Sequence, residues 1–249
     1  MKYEAFEPLL YKWGNKLKPF IESEKCDTIY KKLKADTKTD KICPEHTDVF
    51  HFLKTDSDNL KVLLIGLDPY PGRYKNMRLH ATGIAFDNRN SPDKKCQPSL
   101  IKLHEGFSNE EQLEYSECHS LEYLINQGVM LSNRALTVKY RKTESHIGLW
   151  DSFWEFFIQE VIQPYYGGLP IVLLGDKAKI LKKYIWEMSN PIFYLTHPST
   201  AARTDAIWET NNTFKKINTI IKQNGQDPII WHFDSYKNKL NEQSNNSKE

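Results

Sequence analysis

The stretch KVLLIGLDPYPG, residues 61–72, changes character halfway along, and that change decides how the chain is read. Residues 62–65 are uniformly apolar, too short for a helix, and read as a buried strand. The next seven residues, Gly66 to Gly72, contain two glycines and two prolines, so the strand must end in a loop, and that loop carries a carboxylate, Asp68. Three more runs of the same kind follow, at 129–131, 171–174 and 192–195. Between the runs, apolar residues recur at helical spacing over 100–107, 121–127, 150–162 and 178–188. Strand and helix alternate, which predicts an α/β fold: one domain with a central four-stranded parallel sheet flanked by helices on both faces.

The rest of the chain is placed around that sheet. The domain is expected to span 1–236, with a helical N-terminal part over 1–42. A last helix is expected from Asp205, whose carboxylate would cap it, to Gly225, with Phe214, Ile217, Ile220 and Ile221 on one face. Residues 237–249 are polar and are expected to be a disordered tail.

Composition narrows the function classes. With 249 residues, 39% hydrophobic and 12% aromatic, the chain can bury one sizeable core. Its 34 Lys and Arg against 32 Asp and Glu give a net charge of +2, which excludes a histone-like polycation, so any nucleic-acid binding must come from a local patch. Cys26, Cys43, Cys96 and Cys118 show no C-x-x-C pairing, so they read as reduced structural thiols and not as a zinc or redox site. Neither a signal-peptide pattern nor an apolar run long enough to span a bilayer is present, so a soluble intracellular protein without a membrane partner is expected. It would be cytoplasmic in a bacterium or virus and nuclear in a eukaryote.

In an open parallel sheet, ligands bind beyond the carboxyl ends of the strands. The residues that follow the four runs are Gly66-Leu67-Asp68-Pro69-Tyr70, Ser132-Asn133-Arg134, Gly175-Asp176-Lys177 and Thr196-His197-Pro198-Ser199. A carboxylate, an amide and an imidazole thus reach one edge: a cation stabiliser, a two-way hydrogen-bonding group and a donor. Taken singly, Asp68 reads as a turn aspartate, Asn133 as a strand-end cap and His197 as a loop residue. The lysines at 177, 179, 182 and 183 read as a solvated helix face before they read as a DNA-binding patch.

The order of motifs changes those readings. GLDPYPG resembles the first signature of the family 1 uracil-DNA glycosylases, usually G-Q-D-P-Y-H, and HPS at 197–199 resembles the start of their second, H-P-S-P-L-S. GIAF (83–86), QPSL (97–100), GVMLSNRALTV (128–138) and SH (145–146) are similar to family segments and come in the same order, as do PEHTDVFHFL and DPIIW at the two ends. The resemblance implies a glycosylase that needs no metal or cofactor, acts as a monomer on uracil-containing single- or double-stranded DNA, and flips the base into a pocket. It implies that Asp68 orients water and stabilises the cationic sugar, and that His197 donates to the departing uracil anion. It further implies that Phe86 stacks on the base, Asn133 pairs with its edge and Tyr70 excludes the thymine methyl, with Leu67 beside the base completing the binding set. Ser99 and Ser199 are implied to hold DNA phosphates.

Four departures bear on the reading. Leu67 and Pro71 replace the signature's glutamine and histidine, as in the poxvirus branch of the family. Ala201 stands where a leucine normally wedges into the DNA stack, with Arg203 as a substitute contact, and Asp176 stands where a serine faces phosphate. These leave two alternatives: a catalytically weak DNA-binding or replication accessory protein, or a glycosylase for a modified pyrimidine. A protein inhibitor or replication partner is not identified by the sequence.

Overall fold

The computed structural model describes residues 4 and 6–246. Its centre is a sheet of four parallel strands in the order β3-β2-β5-β6: β2 (Val62–Gly66), β3 (Val129–Asn133), β5 (Ile171–Leu174) and β6 (Ile192–Leu195). Each strand lies where an apolar run predicts it, and β2 and β3 extend one and two residues further, to Gly66 and Asn133. A two-stranded antiparallel ribbon, β1 (Ile42–Cys43) with β4 (Val138–Lys139), lies outside this sheet.

The sheet's faces are separated by residue parity, because successive strand side chains point opposite ways. Leu63, Ile65, Met130, Ile171 and Leu173 enter one apolar cluster, where they meet Trp13, Phe20, Phe52, Phe153, Trp154 and Phe157. Val62, Leu64, Val129, Leu131, Val172 and Leu174 enter a second, with Phe107, Phe214 and Trp231. On the first face lie α1 (Gly14–Ile21), α2 (Glu24–Asp36) and α5 (Asp151–Phe156); α3 (Pro98–Glu111), α4 (Glu122–Ile125) and α9 (Thr213–Gln223) cover the second. The N-terminal part thus contributes α1 and α2 to this face. Both cores are dense in fully buried aromatics, and truncating one such as Phe153 to alanine carries a cost of about 3–5 kcal/mol.

Helix boundaries differ from the sequence expectation in three of the predicted segments. The segment predicted over 150–162 forms α5, then a π-helical stretch Phe157–Ile162, then α6 (Gln163–Tyr165). The segment predicted over 178–188 begins earlier, as α7 (Gly175–Lys179), and tightens into a 3-10 turn, Ile180–Tyr184, that ends before Met188. Asp205 does not start the last helix. It closes α8 (Pro198–Thr204) in a left-handed conformation, φ +50, and pairs with Lys102 at 3.3 Å. The chain then runs extended, pinned by the Trp208 indole N–H donating to the Thr196 carbonyl at 2.9 Å, and α9 starts at Thr213.

The polar end of the chain also departs from expectation. Helix α10 covers Phe233–Asn246, so the boundary drawn at 236 falls inside a helix; residues 247–249 lie outside the described residues. Composition does not reveal what starts this helix. Phe233 and Tyr236 pack on the Tyr123 ring at 5.2 and 5.5 Å, the Asp234 N–H donates to Ser116 Oγ at 3.1 Å, and His232 Nε2 bonds the Glu114 carbonyl at 2.9 Å. Once anchored, the polar residues continue the helix on an exposed surface.

All four cysteines are free thiols, and burial pushes those of Cys26 and Cys43 up to about 11. No helix among the described residues is long and apolar enough to cross a membrane.

Candidate active site

The carboxyl ends of β2, β3 and β6 meet at one pocket. It is lined by Asp68, Tyr70, Phe86, Ser99, Asn133 and His197, and closed behind by Val49, the 81–84 loop and Leu136. Register explains part of this convergence. Gly66 and Asn133 are partners on β2 and β3, and the pairing continues past the strand ends, with the Arg134 and Ala135 N–H groups donating to the Gly66 and Leu67 carbonyls at 3.0 Å each. The loops after both strands therefore leave in step.

Gly66 carries no chemical group of its own, yet the site needs it. A Cβ there would lie 2.6 Å from Asn133 Oδ1 and 3.2 Å from the tip of the Phe86 ring. A side chain at 66 would displace both pocket residues. The signal was present as a glycine at a strand end, where backbone or ligand approaches closely. Gly175, at the end of β5, has φ +80 and would bring a Cβ to 3.0 Å from that of His197. It lets the third loop turn away beneath the imidazole.

Asp68 is partly buried, and burial raises its carboxyl above the usual range; the backbone N–H of Glu144, donating to Oδ2 at 2.6 Å, opposes that rise. Its Oδ2 is thus held by one fixed backbone donor. Tyr70 donates from its hydroxyl to the Phe86 carbonyl at 3.4 Å, and burial pushes its phenol far up, so it is a neutral wall. Phe86 has φ +66, a conformation costly for an aromatic residue, and its ring centroid lies 5.4 Å from that of His197.

His197 is fixed in both charge and tautomer. Burial first, and the Arg203 guanidinium second, lower its pKa to about 4, so it is neutral at pH 7. Its Nδ1 accepts the Ser199 N–H at 3.2 Å, as the cap of α8, and contacts Ser199 Oγ at 2.8 Å. With Nδ1 an acceptor, the ring proton resides on Nε2, the nitrogen left to donate elsewhere.

The remaining candidates lie in a second groove that meets the pocket at His197. Leu67, Glu144, Asp176, Lys177, Lys179, Ser199, Thr200 and Arg203 line it. Leu67, expected beside the base, lines this groove and is not among the residues lining the pocket. The side chain following a buried glycine at a strand end emerges on the other side of the loop, a geometry the motif does not encode. Arg203 is exposed and reaches Ser199 Oγ at 3.5 Å and Thr200 Oγ1 at 3.3 Å. Lys177 pairs with Glu144 at 3.1 Å, Lys179 with Asp176 at 3.0 Å and Lys182 with Glu187 at 2.8 Å. Ala201 is buried against the second core. Among the described residues, no three His, Cys, Asp or Glu side chains gather as a metal-binding set.

Comparison with known proteins places this arrangement in a class. The sequence profile described as "Uracil DNA glycosylase superfamily" matches residues 53–222, and the chain belongs to that superfamily. The uracil-DNA glycosylases of Bacillus cereus (strain G9842) and Bacillus mycoides (strain KBAB4) are each 30% identical over 223 residues, covering 88% of this chain and 94% of theirs. The crystal structure of mimivirus uracil-DNA glycosylase superposes with a TM-score of 0.79 at 22% identity, covering 93% of this chain and 89% of that one. A variant of the mimivirus protein in complex with UGI gives the same score and covers 91% of that chain.

Proposed function

We propose that the protein hydrolyses the N-glycosidic bond of uracil in DNA and leaves an abasic site. The observation that carries this reading is the single pocket in which Asp68, Tyr70, Phe86, Asn133 and His197 converge from separate loops. A flipped uracil would stack on Phe86 and pair with the Asn133 amide, whose donor and acceptor match the base's acceptor and donor. Tyr70 would occupy the space a 5-methyl group needs. The neutral His197 ring would donate from Nε2 to the uracil oxygen that gains charge as the bond breaks, with no proton transfer required. Asp68 would hold the attacking water and offset the positive charge of the sugar. Ser99, Ser199 and Arg203 would contact the phosphates on either side of the flipped nucleotide. DNA is the partner this chemistry needs, met by a monomer inside the cell. The mimivirus complex makes a protein partner a second class to test.

The modified-pyrimidine alternative drew on Leu67 and Pro71, and neither lines the base pocket. The accessory-protein alternative keeps two observations in its favour: a buried alanine, not a wedge, stands at 201, and the groove carries the exposed carboxylate of Asp176. Incubating the protein with single- and double-stranded oligonucleotides containing one uracil, followed by alkali, separates the two. Strand scission at the uracil is expected; none on either substrate rejects glycosylase activity.

A further inference from the structure

Asp68 depends on a backbone group it does not control. The Glu144 N–H that donates to it sits at the tip of a tight loop, residues 137–149, where Arg141 and Glu144 both have left-handed backbone, φ +60 and +59. Neither is a glycine, so each conformation is strained and must be imposed from outside the tip.

What imposes it is a buried polar chain. The Trp150 indole N–H donates to Thr137 Oγ1 at 2.8 Å, and Thr137 Oγ1 lies 2.9 Å from His146 Nδ1. His146 Nε2 then lies 3.3 Å from Asp36 Oδ2. The other oxygen of Asp36 receives Lys139 Nζ at 2.8 Å and Lys32 Nζ at 2.9 Å. Asp36 is 5%, His146 2% and Thr137 1% exposed. The Asp36 carboxylate at the end of α2 therefore holds the outgoing limb through its ion pair with Lys139, while on the returning limb the buried His146 Nε2 stands against its second oxygen without a hydrogen bond. The limbs are also tied directly, with the Lys139 N–H donating to Ser145 Oγ at 2.8 Å, and the β1–β4 pairing lays the N-terminal segment along the outgoing limb. Burying a carboxylate with two lysines and an imidazole is costly unless the geometry is kept, so the cluster resists displacement.

We infer that Asp36 is a positioning residue: through its ion pair with Lys139, whose backbone is tied across the loop to Ser145, it fixes the loop so that the Glu144 N–H is aimed at Asp68. None of these groups lines the base pocket. The inference rests on the excision reading for its consequence in rate, but the coupling of Asp36 to Asp68 does not.

The test follows the Asp68 carboxyl by carbon-detected NMR titration in the wild type and in Asp36→Asn. The charged group acting on Asp68 is Glu144, with Lys177 paired to it, and the neutral His197 ring lines the same pocket; all are unchanged in the variant. Losing a donor to a carboxylate raises its pKa, so the Asp68 midpoint is expected to rise by about 0.5 or more. If the wild type excises uracil, kcat in the variant is expected to fall about 10-fold with KM unchanged, since aim is lost and not binding. Should Asp36→Asn fail to fold, Lys139→Gln removes the loop's ion pair to Asp36 and is read in the same way. An unmoved Asp68 midpoint in folded variants overturns the inference, whether or not kcat falls. A wild type that excises nothing overturns the proposed function while leaving the titration decisive.

Discussion

The pocket and the groove beside it share His197, and they are built in opposite ways. In the pocket each functional group is partly or wholly buried and held in one state: Asp68 by a backbone donor, His197 by its helix cap, Tyr70 by the Phe86 carbonyl, and Asn133 by the space Gly66 leaves. In the groove the charges are exposed and satisfy one another, Lys177 with Glu144 and Lys179 with Asp176. On the proposed reading, the difference puts base recognition and cleavage in the buried pocket and leaves the hold on the DNA strand to exposed, exchangeable groups. A buried group cannot be exchanged without loss of fold or chemistry; exposed ion pairs contribute little and can be exchanged freely.

The comparison predicts a ranking of effects. Largest are Asp68→Asn and His197→Ala, each expected to slow excision in single-turnover assays by about 10² or more, since each removes a preorganised electrostatic group. Near-normal rates in both would erase the distinction between pocket and groove. Next is Tyr70→Ala, which should make thymine a detectable substrate; continued rejection of thymine would show that something other than this ring excludes the methyl.

The third is a pH signature. The folded pKa of His197, about 4, lies below its ordinary 6.5, so folding favours the neutral ring. Its stability contribution is present in full above 6.5 and is lost as pH falls from 6.5 towards 4, by about 3 kcal/mol at most. His104, also lowered to about 4 by burial, adds loss in the same window. In denaturant melts between pH 4.5 and 6.5, His197→Asn should lose stability less steeply than the wild type by about one proton. In the wild type, kcat should show no step at 6.5; its acidic limb belongs to Asp68, above the ordinary aspartate range.

Smaller effects belong to the groove. Arg203→Ala should weaken DNA binding and lower its log–log salt slope by about 0.7–0.9, one phosphate contact, while excision from bound substrate changes little. Ala201→Leu should fail to improve duplex cleavage and should cost about 1–3 kcal/mol, because position 201 faces the core and a larger side chain overpacks it. A gain on duplex DNA would show that this helix reaches the strand after all.

Strand-and-helix alternation made the sheet legible in the sequence, because four buried parallel strands must each be a short apolar run. The pocket residues were legible only through their order along the chain; a lone Asn133 or His197 has no signal that separates ligand from cap. Three features were not legible, and each depends on contacts between distant segments. The side on which Leu67 emerges is set by strand register, the helix over 233–246 by the Tyr123 ring, and the end of α8 at Asp205 by Lys102 and the Trp208 anchor. Local periodicity carries none of that.

The central claim, that loops after three strands form one cavity for an extruded pyrimidine, is tested most directly by a crystal structure of the protein with free uracil. The account predicts the ring stacked on Phe86, its edge paired with the Asn133 amide and an oxygen within hydrogen-bond distance of His197 Nε2. Uracil bound elsewhere, or a pocket closed to it at saturating concentration, would contradict the claim.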